Sequence, residues 1–173
     1  IEELFDCAEL MAKQPRPGGP RLAILTNGGG PGVMATDTLA RYGQEPAPLD
    51  HQTLQAFDGF LPTFWSRGNP IDILGDASAE RFSRSLEVCF NSKNLDGVLV
   101  ILAPQALTDP LAVAETLAAA LRVRTYPVFA CWMGGKSIGK AVDVLNEAGI
   151  PTYDTPERAV RAFLYMVEYA RNL

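Results

Sequence analysis

The sequence predicts an α/β fold, a three-layer sandwich in which helices cover both faces of a mainly parallel sheet of about five strands. Short apolar runs alternate along the chain with longer amphipathic stretches. This alternation is typical of βαβ units, whose parallel strands are buried on both faces. Crossovers between such units are right-handed, so we expect a doubly wound sheet with the flavodoxin-like strand order.

Each apolar run is predicted to be one strand of this sheet. The five runs are residues 22–25, 71–74, 98–102, 128–133 and 150–153. Apolar residues at helical spacing predict helices over residues 33–42, 79–91, 110–122, 136–148 and 156–172. Two of these helices have clear start signals, because Asp109 and Thr155 each place a capping oxygen before a proline at the first helical position. The stretch 44–68 is less regular, and there we expect a short helix over 52–60 and a short strand over 47–49.

The first twenty residues differ from the rest of the chain. Residues 1–14 have helical spacing, and prolines and glycines follow over residues 15–20. We expect residues 1–20 to be a connector helix and linker from an upstream domain, and residues 21–173 to be the α/β domain itself. Ile1 enters the helical pattern without an initiator Met, which indicates a piece of a longer chain.

Composition narrows the class of partner. The net charge is -5 and no block of Lys or Arg is present, which argues against nucleic acid. No apolar run has the length of a membrane span. Cys7, Cys89 and Cys131 have neither paired nor CxxC spacing, so we expect three buried thiols in a reducing cytoplasm, without a disulfide or a metal site.

The segment TNGGGPG, residues 26–32, is the strongest candidate for a functional site. It leaves a predicted strand and opens a helix, where glycines leave backbone N–H groups uncovered at the positive end of the helix dipole. Such an end suits a phosphate or a carboxylate. The alternative is that the glycines only make a tight turn. The candidate phosphate-binding residues are Asn27, Gly28, Gly29, Gly30 and Gly32.

Two nucleotide-binding motifs do not fit this sequence. A GxGxxG pattern that starts at Gly28 would need glycine where Val33 stands. A Walker A loop that ends in Gly135, Lys136 and Ser137 would need glycine where Ala130 stands. A Rossmann dinucleotide site and a P-loop are therefore disfavoured.

Other loops after predicted strands supply a second group of polar or glycine residues that could line a pocket: Asn69, Asp72, Gln105, Gly134 and Gly135. Asp72 could face the ligand crevice or could tie down a neighbouring loop. Asp109 is expected to be a helix cap, and Lys136 either a counter-charge or a solvated lysine. His51, the one histidine, is expected to lie at the surface or near a cap. No complete catalytic set and no metal site is predicted.

The motifs together resemble the ligase-CoA domain of NDP-forming acyl-CoA synthetases. They are LAILTNGGGPGVMATDTL, GNPIDILGDAS, LDGVLVILAPQALTDP, PVFACWMGGKS and AGIPTYDTPERAVRAFLYM, collinear over about residues 21–169. The chain is also similar, more distantly, to the C-terminal domain of the succinyl-CoA synthetase β subunit. The resemblance implies a reaction in which acid, CoA and ATP give acyl-CoA, ADP and phosphate through a phosphorylated histidine that swings between sites.

The resemblance also implies that the functions of the enzyme are divided between several domains. The phosphohistidine, the CoA-binding Rossmann domain and the ATP-grasp domain would lie outside this chain, so CoA, ATP or ADP and Mg²⁺ would serve the parent enzyme and no cofactor would be held tightly here. The TNGGGPG segment would receive the phosphohistidine or phosphate, and the chain alone would be inactive. One alternative is the non-catalytic, effector-sensing half of a bifunctional protein lysine acetyltransferase. Another is a free-standing flavodoxin-like binding module, although the first loop lacks the hydroxyl-rich character expected for a flavin phosphate site.

Overall fold

The computed structural model describes residues 2–120 and 125–173, which form seven α-helices, one 3₁₀ turn and five strands. In chain order these are α1 (Glu2–Lys13), β1 (Leu22–Thr26), α2 (Gly29–Arg41), α3 (His51–Asp58), β2 (Ile71–Asp72), α4 (Ala79–Asn91), β3 (Gly97–Leu102), α5 (Pro110–Ala120), β4 (Val128–Trp132), the 3₁₀ turn (Gly135–Ile138), α6 (Gly139–Glu147), β5 (Thr152–Tyr153) and α7 (Pro156–Asn172).

The sheet is wholly parallel, in the order β2-β1-β3-β4-β5. This is the flavodoxin-like order, so the predicted fold class is confirmed. The last residue of β1, Thr26, lies opposite Asp72 of β2 on one side and Ile101 of β3 on the other. The carboxyl ends of these three strands therefore meet at one edge of the sheet.

Side chains alternate across the sheet and fill two apolar layers. In β3, Val98 and Val100 face the layer that contains residues of α3 to α6, whereas Leu99 and Ile101 face residues of α1, α2 and α7. The period of two in a strand explains this division, and it is the reason that both faces of β3 must be apolar. At the start of β3, a Cβ on Gly97 would lie 2.6 Å from a ring carbon of Phe163, so glycine lets α7 pack closely there.

The predicted strand at 47–49 is wrong. Ala47 donates a single backbone hydrogen bond to Leu22 O, and the surrounding segment is irregular. Pro46 and Pro48 flank Ala47, and proline has no N–H to continue a ladder. The short helix predicted at 52–60 is present as α3.

Several predicted bounds also shift. Helix α2 begins at Gly29 instead of residue 33, and the helix predicted at 136–148 divides into the 3₁₀ turn and α6. Strands β2 and β5 are only two residues long. The last two residues of the helix predicted at 110–122 lie outside the described residues.

The three thiols are not equally buried. Cys89 and Cys131 are buried as expected, and burial raises the pKa of the Cys89 thiol to about 12. The expectation for Cys7 is wrong, because α1 leaves it half-buried. It lies on the outermost layer of the fold, where only one side of the helix is covered.

Helix α1 is attached to the domain by polar contacts as well as by apolar packing. Arg158 of α7 binds Asp6 in a bidentate ion pair, with Nη2–Oδ1 and Nε–Oδ2 distances of 2.7 and 3.0 Å. The Gln14 side chain accepts from Val128 N at 2.9 Å and donates to Gly149 O. These contacts cross the predicted boundary between residues 20 and 21.

Candidate anion-binding site at the start of helix α2

Two side chains hold the turn that joins β1 to α2. The Thr26 hydroxyl donates to Gly28 O at 2.9 Å and accepts from Gly28 N at 3.1 Å. The Asn27 side chain, 1% exposed, donates to Ala103 O at 3.0 Å and accepts from Ala103 N at 2.7 Å. The end of β1 is thereby locked to the segment that follows β3, and the first turn of α2 has a fixed position at the edge of the sheet.

Only some of the glycine amides are available to a ligand. Gly28 N is bonded to Thr26, and Gly32 N donates to Gly28 O at 3.4 Å. Pro31 has no N–H. The N–H groups of Gly29 and Gly30 have no acceptor within the described part of the chain, and both residues are exposed. The start of α2 therefore presents two free donors, at the end of the helix that carries its partial positive charge.

The structural reason for a glycine differs from one position of this segment to the next. A Cβ on Gly28 would lie 3.2 Å from Ala103 Cβ, and one on Gly32 would lie 3.1 Å from Pro70 Cβ, so both positions are tightly packed. A Cβ on Gly30 would meet nothing within 4 Å. Gly28 is extended, with φ −155° and ψ 124°, a conformation open to any residue. The tight-turn interpretation therefore does not account for Gly30.

Asp72 lies beside this helix start. One carboxylate oxygen, Oδ1, accepts from Leu74 N at 2.9 Å. Asp72 therefore ties down the loop that follows it, which is close to one of the two roles expected from the sequence. The other oxygen, Oδ2, would lie 3.2 Å from a Cβ built on Gly29. Asp72 therefore also borders the first turn of α2.

The other members of the second predicted group do not gather at this point. Asn69 donates to Leu22 O and Ala47 O and accepts from Ile24 N, which places its side chain along the first half of β1. Gln105 is exposed and packs on Gly75 in the loop after Asp72.

Gly134 and Gly135 form the turn after β4. This turn does not follow a strand next to β1, because β3 lies between β4 and β1. Both glycines have positive φ, 141° and 58°, so glycine is required there by backbone conformation. Lys136, the next residue, is exposed.

The remaining candidates take ordinary structural roles. Asp109 accepts from Leu111 N at 2.9 Å and Ala112 N at 3.3 Å, which confirms it as a helix cap. His51 is the exposed first residue of α3, next to its cap Asp50. In the ranges 2–120 and 125–173, no three His, Cys, Asp or Glu side chains could together hold a metal ion.

Thr26 has a structural role that was not predicted from the sequence. Its hydroxyl occupies the Gly28 amide and so helps to decide which donors stay free. A threonine two residues before a glycine at a strand end is the pattern of an ST-turn, and this signal could have indicated the contact.

None of the helices within the described residues is long and apolar enough to cross a membrane.

A doubly wound parallel sheet with an uncapped helix start at its carboxyl edge defines an α/β domain suited to receive an anion. A family model described as the Ligase-CoA domain matches residues 22–172. The chain therefore belongs to the Ligase-CoA domain family, as the motif resemblance indicated.

Curated relatives agree with this family. The chain is 44% identical over 171 residues to acetate–CoA ligase [ADP-forming] I of Archaeoglobus fulgidus, covering 99% of this chain and 24% of the relative. It is 32% identical over 177 residues to the alpha subunit of acetate–CoA ligase [ADP-forming] II of Pyrococcus furiosus, covering 100% of this chain and 38% of that subunit. The chain thus spans well under half the length of these relatives.

A solved structure has the same fold. The dinucleotide-forming acetyl-coenzyme A synthetase 1 of Ca. Korarchaeum cryptofilum, in complex with phosphate and ADP, superimposes with a TM-score of 0.91 at 35% identity, over 99% of this chain and 38% of that one. These relatives are CoA- and nucleotide-dependent ligases. They give no support to the acetyltransferase alternative.

Proposed function

We propose that this chain is one domain of an ADP-forming acyl-CoA synthetase, which converts acid, CoA and ATP to acyl-CoA, ADP and phosphate. In that enzyme its part is to receive the phosphoryl group carried by a phosphohistidine, at the start of α2. One observation carries the proposal: the N–H groups of Gly29 and Gly30 are free and exposed at a helix N-terminus.

The chemistry of this site is electrostatic. A phosphoryl group on histidine carries negative charge, and two N–H donors together with the helix dipole stabilise that charge without a side chain that must be reoriented. The Asn27 and Thr26 contacts fix the turn in advance, which lowers the cost of binding. Of the five candidate residues at this site, Gly29 and Gly30 bind the anion, whereas Asn27, Gly28 and Gly32 hold the turn.

The phosphohistidine itself is assigned to another domain. His51 lies at the first residue of α3, which follows α2 in the chain and is not part of the β1–α2 turn. We propose that the partners of this chain are the phosphohistidine, CoA-binding and ATP-grasp domains of the same enzyme.

The cofactors of the reaction belong with those partners. Two free amides can bind the oxygens of one phosphoryl group, and this sequence fits neither the GxGxxG nor the Walker A motif of a nucleotide site. We therefore assign ATP or ADP, CoA and Mg²⁺ to the other domains. A cytoplasmic location goes with this proposal, because the three cysteines are unpaired and the reaction uses intracellular cofactors.

A phosphate titration tests the proposal. In ¹⁵N-labelled protein, added inorganic phosphate should shift the amide signals of Gly29 and Gly30 in a saturable way at millimolar concentrations. The amides of Leu111 and Ala112 serve as an internal control, because Asp109 already caps them. Equal, linear shifts at both helix starts, or no shifts at Gly29 and Gly30, would contradict an anion site there.

A further inference from the structure

Asp72 places a negative charge next to a site that is proposed to receive an anion. It is the last residue of β2 and lies opposite Thr26, the last residue of β1, so the two strand ends bring its side chain to the start of α2. The carboxylate cannot turn away freely, because Oδ1 accepts the N–H of Leu74 at 2.9 Å.

The second oxygen of Asp72 has no partner of its own. Within the described residues Oδ2 is in no hydrogen bond, and no Lys, Arg or His forms an ion pair with Asp72. Oδ2 lies at the distance of a close contact, 3.2 Å, from the position of a Cβ on Gly29. Besides the Leu74 N–H, the positive end of the α2 dipole is therefore the favourable partial charge next to the Asp72 carboxylate.

Resting on the function proposed above, we propose that Asp72 is a specificity-determining residue of the α2 site, which weakens the binding of free phosphate. A phosphate dianion at Gly29 and Gly30 is repelled by the neighbouring carboxylate. A phosphoryl group carried by a tethered histidine arrives at high effective concentration and does not need high affinity. The site therefore accepts a carried phosphoryl group and does not retain inorganic phosphate.

The substitution Asp72→Asn tests this inference. Asparagine keeps an oxygen that accepts the Leu74 N–H, so the loop should fold as before while the charge is lost. Asp37→Asn is the matched control, since it removes the same charge from the exposed side of α2, eight residues or about 12 Å along the helix from Gly29.

The dissociation constant for inorganic phosphate is measured from the Gly29 and Gly30 amide shifts of the 173-residue chain and both variants, at low salt. We expect Asp72→Asn to lower the constant about three- to tenfold, because the loss of one neighbouring carboxylate removes a repulsion that water and salt partly screen. Asp37→Asn should lower it less than about twofold. High salt should reduce the difference.

The outcomes separate the inference from the proposed function. Saturable shifts in the parent chain with no tighter binding by Asp72→Asn, or equal tightening by Asp37→Asn, would overturn the role of Asp72 and leave the anion site standing. Absence of shifts at Gly29 and Gly30 in every chain would overturn both.

Discussion

The helices of this domain begin in two different ways. Four of them begin at a residue whose side chain accepts a hydrogen bond from the first turn: Asp50 for α3, Ser78 for α4, Asp109 for α5 and Thr155 for α7. Helix α2 begins at Gly29, and the residue at its N-cap position, Gly28, has no side chain to accept such a bond. A capped start is stabilised within the fold, whereas the N–H donors of Gly29 and Gly30 at the start of α2 have no acceptor within the described residues.

A second uncapped start shows that absence of a cap does not by itself indicate a ligand. Gly134 precedes the 3₁₀ turn without a side-chain cap, but its φ of 141° and the 58° of Gly135 make glycine necessary for the backbone. Gly29 and Gly30 have no positive φ. Glycine at these two positions is therefore not required by a positive φ. An added Cβ on Gly29 would lie 3.2 Å from Asp72 Oδ2, whereas neither backbone conformation nor packing explains Gly30.

The largest effect is expected from Asn27→Ala, which removes what holds the uncapped start in place. Both peptide groups of the Ala103 contact would lose their partner in a buried position, so the free energy of unfolding should fall by about 2–4 kcal/mol. Urea unfolding measures the change. The exposed amide of Asn94 is the control, and Asn94→Ala should cost less than about 0.5 kcal/mol. Equal stability of the two variants would mean that the Asn27 contacts do not hold the turn.

The next effect concerns binding. Gly28→Ser gives α2 the cap that it lacks. A serine at this position normally accepts from the second or third residue of the helix, and since Pro31 has no N–H, the Gly30 amide is its only partner. We expect phosphate affinity to fall about tenfold, which is the worth of one hydrogen bond to a charged group. The side chain must also displace Ala103 Cβ slightly, from the 3.2 Å that an added Cβ would have.

Gly30→Ala is the matched control for that substitution. An added Cβ at residue 30 meets nothing within 4 Å and leaves the amide free. Alanine should stabilise the helix by about 0.5–1 kcal/mol and change phosphate affinity little. If Gly30→Ala weakens binding as much as Gly28→Ser, the loss comes from side-chain bulk and not from capping.

A smaller effect on stability is expected when a helix loses its side-chain cap. Asp109→Ala removes the acceptor for Leu111 N and Ala112 N, and we expect a loss of about 1 kcal/mol in the free energy of unfolding. Phosphate binding at Gly29 and Gly30 should not change, because α5 is a separate helix. A thermal unfolding curve and the same NMR titration give the two values, and a change in binding would refute the independence of the two helix starts.

The sequence predicted the strands and helices because their patterns are local properties, and right-handed crossovers between them favour the strand order that is found. It did not predict where α2 begins. Glycine and proline have the poorest helix propensities, so residues 29–32 looked like a loop. In the first turn, however, Pro31 loses no hydrogen bond, since the first N–H groups of a helix have no partner within it.

The side-chain contacts of the site could not be predicted from the sequence, for a different reason. An asparagine after a strand can bind a ligand or a backbone, and only the approach of Ala103 from β3 decides that Asn27 does the latter. Asn69 is similar, since its three hydrogen bonds join β1 to the segment before α3. The charge of Asp72 could be read from the sequence, but its position beside Gly29 depends on the pairing of β1 with β2.

The smallest expected effect is a pH dependence of the capped start of α3 that the uncapped start of α2 does not share. The Thr53 N–H holds the pKa of the Asp50 carboxyl below its ordinary value of 3.8, with further help from the Gln52 N–H and His51. A carboxyl with a lowered pKa stabilises the fold above its unfolded pKa, and this contribution is lost as the pH falls through the folded pKa. The start of α3 should therefore loosen only below about pH 3.8, which amide hydrogen exchange of Thr53 would measure. Helix α2 has no titrating cap, so the Gly32 amide, which donates to Gly28 O, should show no such cap-dependent change over the same interval. A matching loss of protection at both helix starts would indicate general acid unfolding and not the loss of the Asp50 cap.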